Sequence, residues 1–366
     1  MVEIRQLQKQ DREAAIALSN QTFRDDEQTS MVDAFPLMFS PGNIEQSIGA
    51  FAEGELVSFM GIVPAFIRIG TAKVAIYSLG SVCTAEEHRN KGYASQILDK
   101  VFQYLKTTDA ALLLVSGDRS LYTRADCCYF GNSKRYLVNG KNAKYNHNIR
   151  EMREGDLLSL VHLAQQRPIR YDQSVSDFQT LLQAEAFASC LKLTHKTLIM
   201  EENGELTSFL VLGIPNQTGK SIAIEWAGNP NEITQLLAYA AKKYELEEIE
   251  VPIPWHDQEL QKELHDAPFK SEKNQGTIYI IDPERLVKQL APFLKTKLEE
   301  PIQCKSIQDG MIEVGIGTHK AILTKADFIS VLFDPEPNNE KNKELQKESQ
   351  GVFPLPFPYT AGLNYV

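Results

Sequence analysis

The sequence predicts a mixed α/β and α+β protein in which one α/β fold of about 145 residues is used twice ahead of a smaller α+β portion. Three observations predict it: segments that recur at nearly one offset, a strand-and-helix alternation within each copy, and a change of pattern after Asp282-Pro283. Ile4-Arg5-Gln6-Leu7, followed by Asp11, returns as Ile149-Arg150-Glu151-Met152, followed by Asp156, an offset of 145 residues. GELVSFMGIVP from Gly54 returns as GELTSFLVLGIP from Gly204, offset 150, and KVAIYSLG ending at Gly80 is matched by SIAIEWAG ending at Gly228, offset 148. Three matches in the same order mark a duplicated unit.

The elements of one copy follow in order. An opening strand leads into a helix near Asp11 to Thr22, whose apolar residues keep helical spacing. Glu53-Gly54 is a turn between two β-type runs, as in a hairpin. A third strand, Ala75 to Thr84, is followed by a helix from about Tyr93 to Lys106 that keeps Ala94, Ile97, Leu98, Val101, Phe102 and Leu105 on one face. Ala111 to Val115 is continuously apolar and short, which suits a buried strand. In the second copy the helix falls at Glu232 to Tyr244 and the strand at Ile249 to Ile253. Pro283 to Leu298 reads as an amphipathic helix, and Cys304 to Phe333 as a short sheet plus a helix. The expected domains are 1–146, 147–282 and 283–366, the last containing a polar, flexible linker at 334–350. The tail beyond it carries Phe353, Phe357, Tyr359 and Tyr365, enough aromatic surface to predict docking rather than fraying.

Composition narrows the function. With 366 residues and a formal charge of −10, the chain lacks the basic footprint of a nucleic-acid binder. No apolar window reaches membrane-spanning length, and the charged start has no signal core. Five cysteines without paired spacing argue for a reducing compartment. A cytoplasmic, soluble protein is expected. The acidic surplus favours cationic partners.

The chemistry-bearing segment is Arg89-Asn90-Lys91-Gly92-Tyr93-Ala94, set between a strand and a helix. Gly92 allows the backbone to turn closely about an anion, Ala94 leaves room, and the first amides of the helix point outward with the helix dipole behind them. Arg89 and Lys91 add positive charge or are simply solvated.

GSVCTAEEHRNKGYASQILDKVF, followed by ALLLVSGD, resembles the acetyl-CoA site of the GNAT N-acetyltransferases. The resemblance covers roughly residues 2–140. It implies that Val82, Cys83 and Thr84 offer strand backbone groups to the pantetheine arm. It also implies that Arg89, Asn90, Lys91, Gly92, Tyr93, Ala94 and Ser95 form the pyrophosphate loop. The second copy has NPNEITQ at the same place, with neither the Arg nor the Gly, and is expected to be catalytically silent. Two GNAT folds and a small third domain together resemble the enhanced intracellular survival (Eis) family, which implies a sterol-carrier-like α+β domain ending with the chain's carboxylate at the active site. Leu121-Tyr122-Thr123-Arg124 matches the segment that carries the family's acid, so Tyr122 is the candidate proton donor and the Val366 carboxylate the candidate base or ammonium holder. Asp126 and Cys127 depart from the usual glycine and aromatic after the Arg, and the linker and Pro-rich tail are no obvious match to the family's ending.

Other readings of these residues stay open. Tyr122 also suits a core position, and Tyr129 is a rival acid. Cys83 suits a small buried hydrophobe, His88 a loop position, and Cys127-Cys128 a structural pair; no ligand spacing points to a metal. Asp25 and Asp26, with Glu27, form an acidic turn that could meet a cationic substrate or stay solvated. The expected function is direct acetyl transfer from acetyl-CoA to a primary amine of a small cationic molecule, with assembly into a homo-oligomer possible. The alternatives are acetylation of protein amines and a non-catalytic coenzyme A or ligand sensor.

Overall fold

Alternating strands and helices carry the first stretch of the chain, beginning with β1 (Val2–Gln6), α1 (Arg12–Phe23) and the short α2 (Met31–Ala34). They continue as β2 (Ile48–Ala52), β3 (Glu55–Ile69), β4 (Ala72–Thr84), α3 (Tyr93–Lys106), β5 (Leu112–Val115) and α4 (Ser120–Thr123). The second stretch comprises β6 (Asn132–Val138), β7 (Ile149–Glu151), α5 (Leu157–Gln166), β8 (Ile169–Tyr171), α6 (Val175–Ala184) and α7 (Ala186–Cys190). It goes on through β9 (Leu193–Glu202), β10 (Glu205–Pro215), β11 (Ser221–Gly228), α8 (Pro230–Lys243), β12 (Ile249–Pro254), α9 (Gln258–Glu263) and β13 (Phe269–Lys273). The last stretch holds β14 (Thr277–Ile280), α10 (Pro283–Leu294), β15 (Gln303–Ser306), β16 (Ile312–Ile316), β17 (His319–Leu323), α11 (Lys325–Phe333) and α12 (Glu340–Glu348). The computed structural model describes residues 2–139, 145, 148–216 and 219–366, so the expected boundary at 146/147 lies outside the described residues.

Two compact units result, and they divide the chain differently from three consecutive domains. The first contains 1–130, 275–355 and Val366; the second contains 131–274 and 356–365. In the first unit the strand order is β1-β2-β3-β4-β5-β14, and in the second β13-β6-β12-β11-β10-β9-β7. The repeat places β6 with the first copy and β14 with the second, but each pairs in the other unit's sheet. β14 closes the edge of β5, Thr277 opposite Val115 through Ile280 opposite Leu112. Its Tyr279 stacks on Phe102, with ring centroids 4.1 Å apart. β6 lies between β12 and β13, with Tyr136 opposite both Val251 and Phe269. The Arg135 guanidinium bridges Glu250 and Glu272 across those three strands, at 2.8 and 2.7 Å.

The C-terminal part of the first unit has its own sheet, β15-β16-β17. α10 packs on β4: Gln289 accepts from the Ala75 N–H at 2.9 Å and donates to the Asp109 carbonyl. The expected linker at 334–350 is not a coil. Its centre is α12, capped by Asn339 and anchored by the fully buried Asn342, whose amide donates to Asp327 and Asn338 at 2.9 and 2.6 Å. Leu345 supplies its apolar contact. Donor bonds from the buried Asn342 amide therefore help hold a segment that has almost no hydrophobic face. The tail beyond it is buried as well, through Val352, Phe353, Leu355, Phe357 and Leu363. Among the described residues no helix is long and apolar enough to cross a membrane.

Candidate active site

A bulge in β4 organises the site. β3 and β4 pair regularly from Ile69/Ala72 to Gly61/Gly80, and the register then jumps to Phe59/Cys83, so Met60 faces both Ser81 and Val82. Ser81 takes a φ of +49° and its hydroxyl donates to Ser19 on α1 at 2.9 Å. Such a bulge bends its strand and re-aims the residues beyond it. β4 and β5 run parallel only from Ile76/Leu112 to Leu79/Val115, closed by the Ser116 N–H on the Leu79 carbonyl at 3.1 Å. Beyond that point the two strands part. Ala85 donates to the Val57 carbonyl, and the Cys83 carbonyl accepts from Ser58. Because successive backbone groups point to opposite edges of a strand, Val82 and Thr84 face the gap. The sequence expectation for 82–84 thus narrows: Cys83 turns inward, and burial pushes its thiol up to about 12, far from a thiolate.

After a single 3-10 turn at Glu86–His88, the chain enters α3 through two left-handed residues, Asn90 (φ +62°) and Gly92 (φ +79°). A Cβ on Gly92 would meet only Gln96 Nε2, at 3.8 Å, so the backbone conformation rather than crowding calls for glycine. Gly92 is the N-cap and gives no side-chain cap, and the first turn of α3 carries no acidic residue. Its leading amides are thus available to an anion, with the helix dipole behind them. Arg89, Asn90, Lys91 and Ser95 are exposed around this end, while Tyr93 and Ala94 are half-buried. Arg89 Nε donates to the Thr84 carbonyl at 3.3 Å, tying the loop to the open edge of β4. His88 rests against the Tyr93 ring.

Tyr122 is 5% exposed and belongs to the core cluster that includes Val115, Ile97 and Leu98, against which Val82, Tyr93 and Ala94 pack. Its ring fills the space a side chain at 117 would need: a Cβ on Gly117 would lie 2.9 Å from Tyr122 Cε2. Tyr129 is 45% exposed and donates to Asp118 at 3.1 Å, which raises its pKa. Val366 groups with the first unit and lies against the bulge, where a Cβ on Gly80 would be 2.7 Å from its main-chain oxygen. Gly80, Ser81, Ser19 and Met38, whose methyl also abuts Gly80, escape sequence reading, because nothing local marks a bulge inside an apolar strand. Asp25 and Asp26 occupy an exposed turn after α1; Asp25 accepts from the Glu27 N–H at 3.0 Å, a local role that a solvated acidic turn explains. Cys127 is buried with its thiol pushed up to about 12, and burial also raises Cys128, in keeping with a structural pair.

The second unit repeats the frame with different fillings. β10 and β11 also shift register, between Val211 and Leu212, and β11 pairs with β12 only at Ser221/Ile249 and Ile222/Glu250. α8 starts with Asn229, whose side chain accepts from Asn231, and with Pro230, which has no N–H to offer. Glu232 stands in its first turn and accepts from the hydroxyls of Thr207 (2.8 Å) and Ser208 (2.5 Å).

The family model described as an acetyltransferase (GNAT) domain matches residues 3–129. Three solved structures match along their length. A GCN5-related N-acetyltransferase from Anabaena variabilis is 11% identical, with a TM-score of 0.69 and full coverage of both chains. A conserved protein of unknown function from Enterococcus faecalis, described as a probable N-acyltransferase, is 12% identical, with a TM-score of 0.71 and full coverage of both. Eis1 from Mycobacterium abscessus is 11% identical, with a TM-score of 0.67, covering 98% of this chain and 99% of that one. No curated protein matches the sequence significantly.

Proposed function

We propose, from the GNAT acetyltransferase domain at residues 3–129, that the first unit transfers an acetyl group from acetyl-CoA directly to a primary amine of a small cationic molecule. The observation that carries this reading is the pairing, in one unit, of a bulged β4 that parts from β5 with an α3 N-terminus left open to an anion. Val82 and Thr84 would bind the pantetheine arm, and the backbone from Arg89 to Ser95 the pyrophosphate, with Gly92 giving the turn. The neutral amine attacks the thioester carbon, a strand amide near the bulge stabilises the oxyanion, and the C–S bond breaks to release thiolate. Tyr122, with a reference pKa of about 10, returns a proton to that sulfur. The proton lost by the amine passes to the Val366 carboxylate or to water, and the same carboxylate holds the substrate's ammonium form. Asp25 and Asp26 add negative charge on the exposed turn after α1. The three-stranded portion at 283–366 is read as sterol-carrier-like, and the protein as cytoplasmic.

The test is thiol release from acetyl-CoA across a panel of small amines, polyamines and peptides with free amino groups. Release with small polyamines above peptides is the expected result. Release with peptides alone moves the acceptor to protein amines. Tight coenzyme binding without release in any case replaces the enzyme by a sensor.

A further inference from the structure

In the second unit, the place where β11 has lost its β12 partner is filled by the chain itself. Residues 356–365 group with this unit. Tyr359 lies over Trp226, ring centroids 5.9 Å apart, and Trp226 Nε1 donates to Asp257 at 3.2 Å. A Cβ on Gly362 would come within 3.2 Å of the Ile224 carbonyl and 2.8 Å of Glu225 Oε2, so the tail backbone runs directly along β11. The Leu363 N–H faces the same carboxylate at 3.4 Å. Glu225 is gripped from its other side by Arg167, which also donates to the Trp226 carbonyl at 3.0 Å. Gln173 donates to the Asn364 side chain at 2.7 Å, and Phe187 meets Tyr365 edge-on at 5.0 Å.

We infer that Glu225, oriented by Arg167, is a positioning residue whose carboxylate clamps the tail at Gly362-Leu363 in the silent copy's strand gap, three residues ahead of Val366 in the chain. The inference rests on the proposed role of Val366 for its catalytic consequence, though not for the clamp itself. At 3.4 Å the Leu363 N–H is a long contact to this carboxylate, so the clamp rests on it together with the close approach of Gly362 to β11. The absence of a side chain at 362 is what lets the strand and tail approach. The unit without a phosphate loop would then serve the reaction by holding the tail.

The experiment uses the full-length protein and reads tail release directly. Carboxypeptidase is added to wild type, Glu225→Ala and Gly362→Ala, and liberated Val366 and Tyr365 are counted over time. Gly362→Ala touches only the tail contact, so it serves even if Glu225→Ala unfolds. The expected result is release at least about 10-fold faster in both variants, with kcat for amine acetylation reduced by a similar factor and acetyl-CoA affinity unchanged. Wild-type release rates in Gly362→Ala and in folded Glu225→Ala overturn the clamp. Faster release with undiminished turnover keeps the clamp and contradicts the catalytic reading of Val366.

Discussion

The starts of α3 and α8 occupy the same place in two copies of one fold, yet they treat an incoming anion in opposite ways. α3 begins at a left-handed Gly92 with no side-chain cap and no acid in its first turn. α8 begins with a capped Asn229, a proline lacking an N–H, and a carboxylate, Glu232, that accepts from two hydroxyls. A helix N-terminus attracts one negative charge, and in the second unit the protein supplies that charge itself. The strand gaps differ in the same sense: Val82 and Thr84 edge a gap in the first unit, whereas the tail lies along Ile224 and Glu225 in the second. The two copies share a frame and differ in the local residues at the helix start and along the strand gap.

The sharpest way to break this contrast is to give α3 the chemistry of α8. Gly92→Glu puts a Cβ on a φ of +79° and a carboxylate at the open amides. Acetyl-CoA affinity is expected to fall at least about 100-fold, or about 3 kcal/mol, by calorimetry; a Kd within a few-fold of wild type removes the phosphate loop from the account. Tyr122→Phe comes next. With Tyr122 as the proposed proton donor, its loss should lower kcat about 100-fold with coenzyme affinity intact, measured by thiol release; an unchanged kcat transfers the role elsewhere, Tyr129 first.

How much of this was legible in the sequence varies with the range of the forces involved. α3 was readable to the residue, because its apolar positions recur with helical spacing and Gly92 marks its start. β5 was readable because its apolar run is too short for a helix. The exchange of β6 and β14 was not, since a repeat reveals the order of elements and not their pairing. Thr277–Ile280 joins β5 through contacts made more than 150 residues apart. α12 was missed for another reason: its stability comes from the buried Asn342 amide and a cap, while its sequence shows only polarity. The bulge at Ser81 was missed because strand residues carry no signature for an extra residue opposite Met60.

Smaller effects sharpen the comparison from the second unit. Glu232→Ala strands two hydroxyls, and folding stability should drop about 1–2 kcal/mol in urea titration, with coenzyme binding unaffected. A gain of coenzyme binding would mean that Glu232 alone silences this copy. The smallest effect concerns pH. Burial moves His256 down from 6.5 to about 4, and its Nδ1 has no partner among the described residues. Between those values the unfolded chain binds a proton that the folded chain refuses, so stability is complete above pH 6.5 and falls as the pH drops toward 4. His256→Gln should lose about 1 kcal/mol less than wild type on going from pH 7 to about 5.5, read from thermal unfolding. Parallel losses in the two proteins would assign the acid sensitivity to other groups.

The claim that one copy is open and the other filled is tested most directly by stoichiometry. Calorimetric titration of the full-length protein with acetyl-CoA should give one site per chain. Gly92→Glu should abolish that site, and Glu232→Ala should leave it untouched. Two sites per chain, or one site that survives Gly92→Glu, would contradict it.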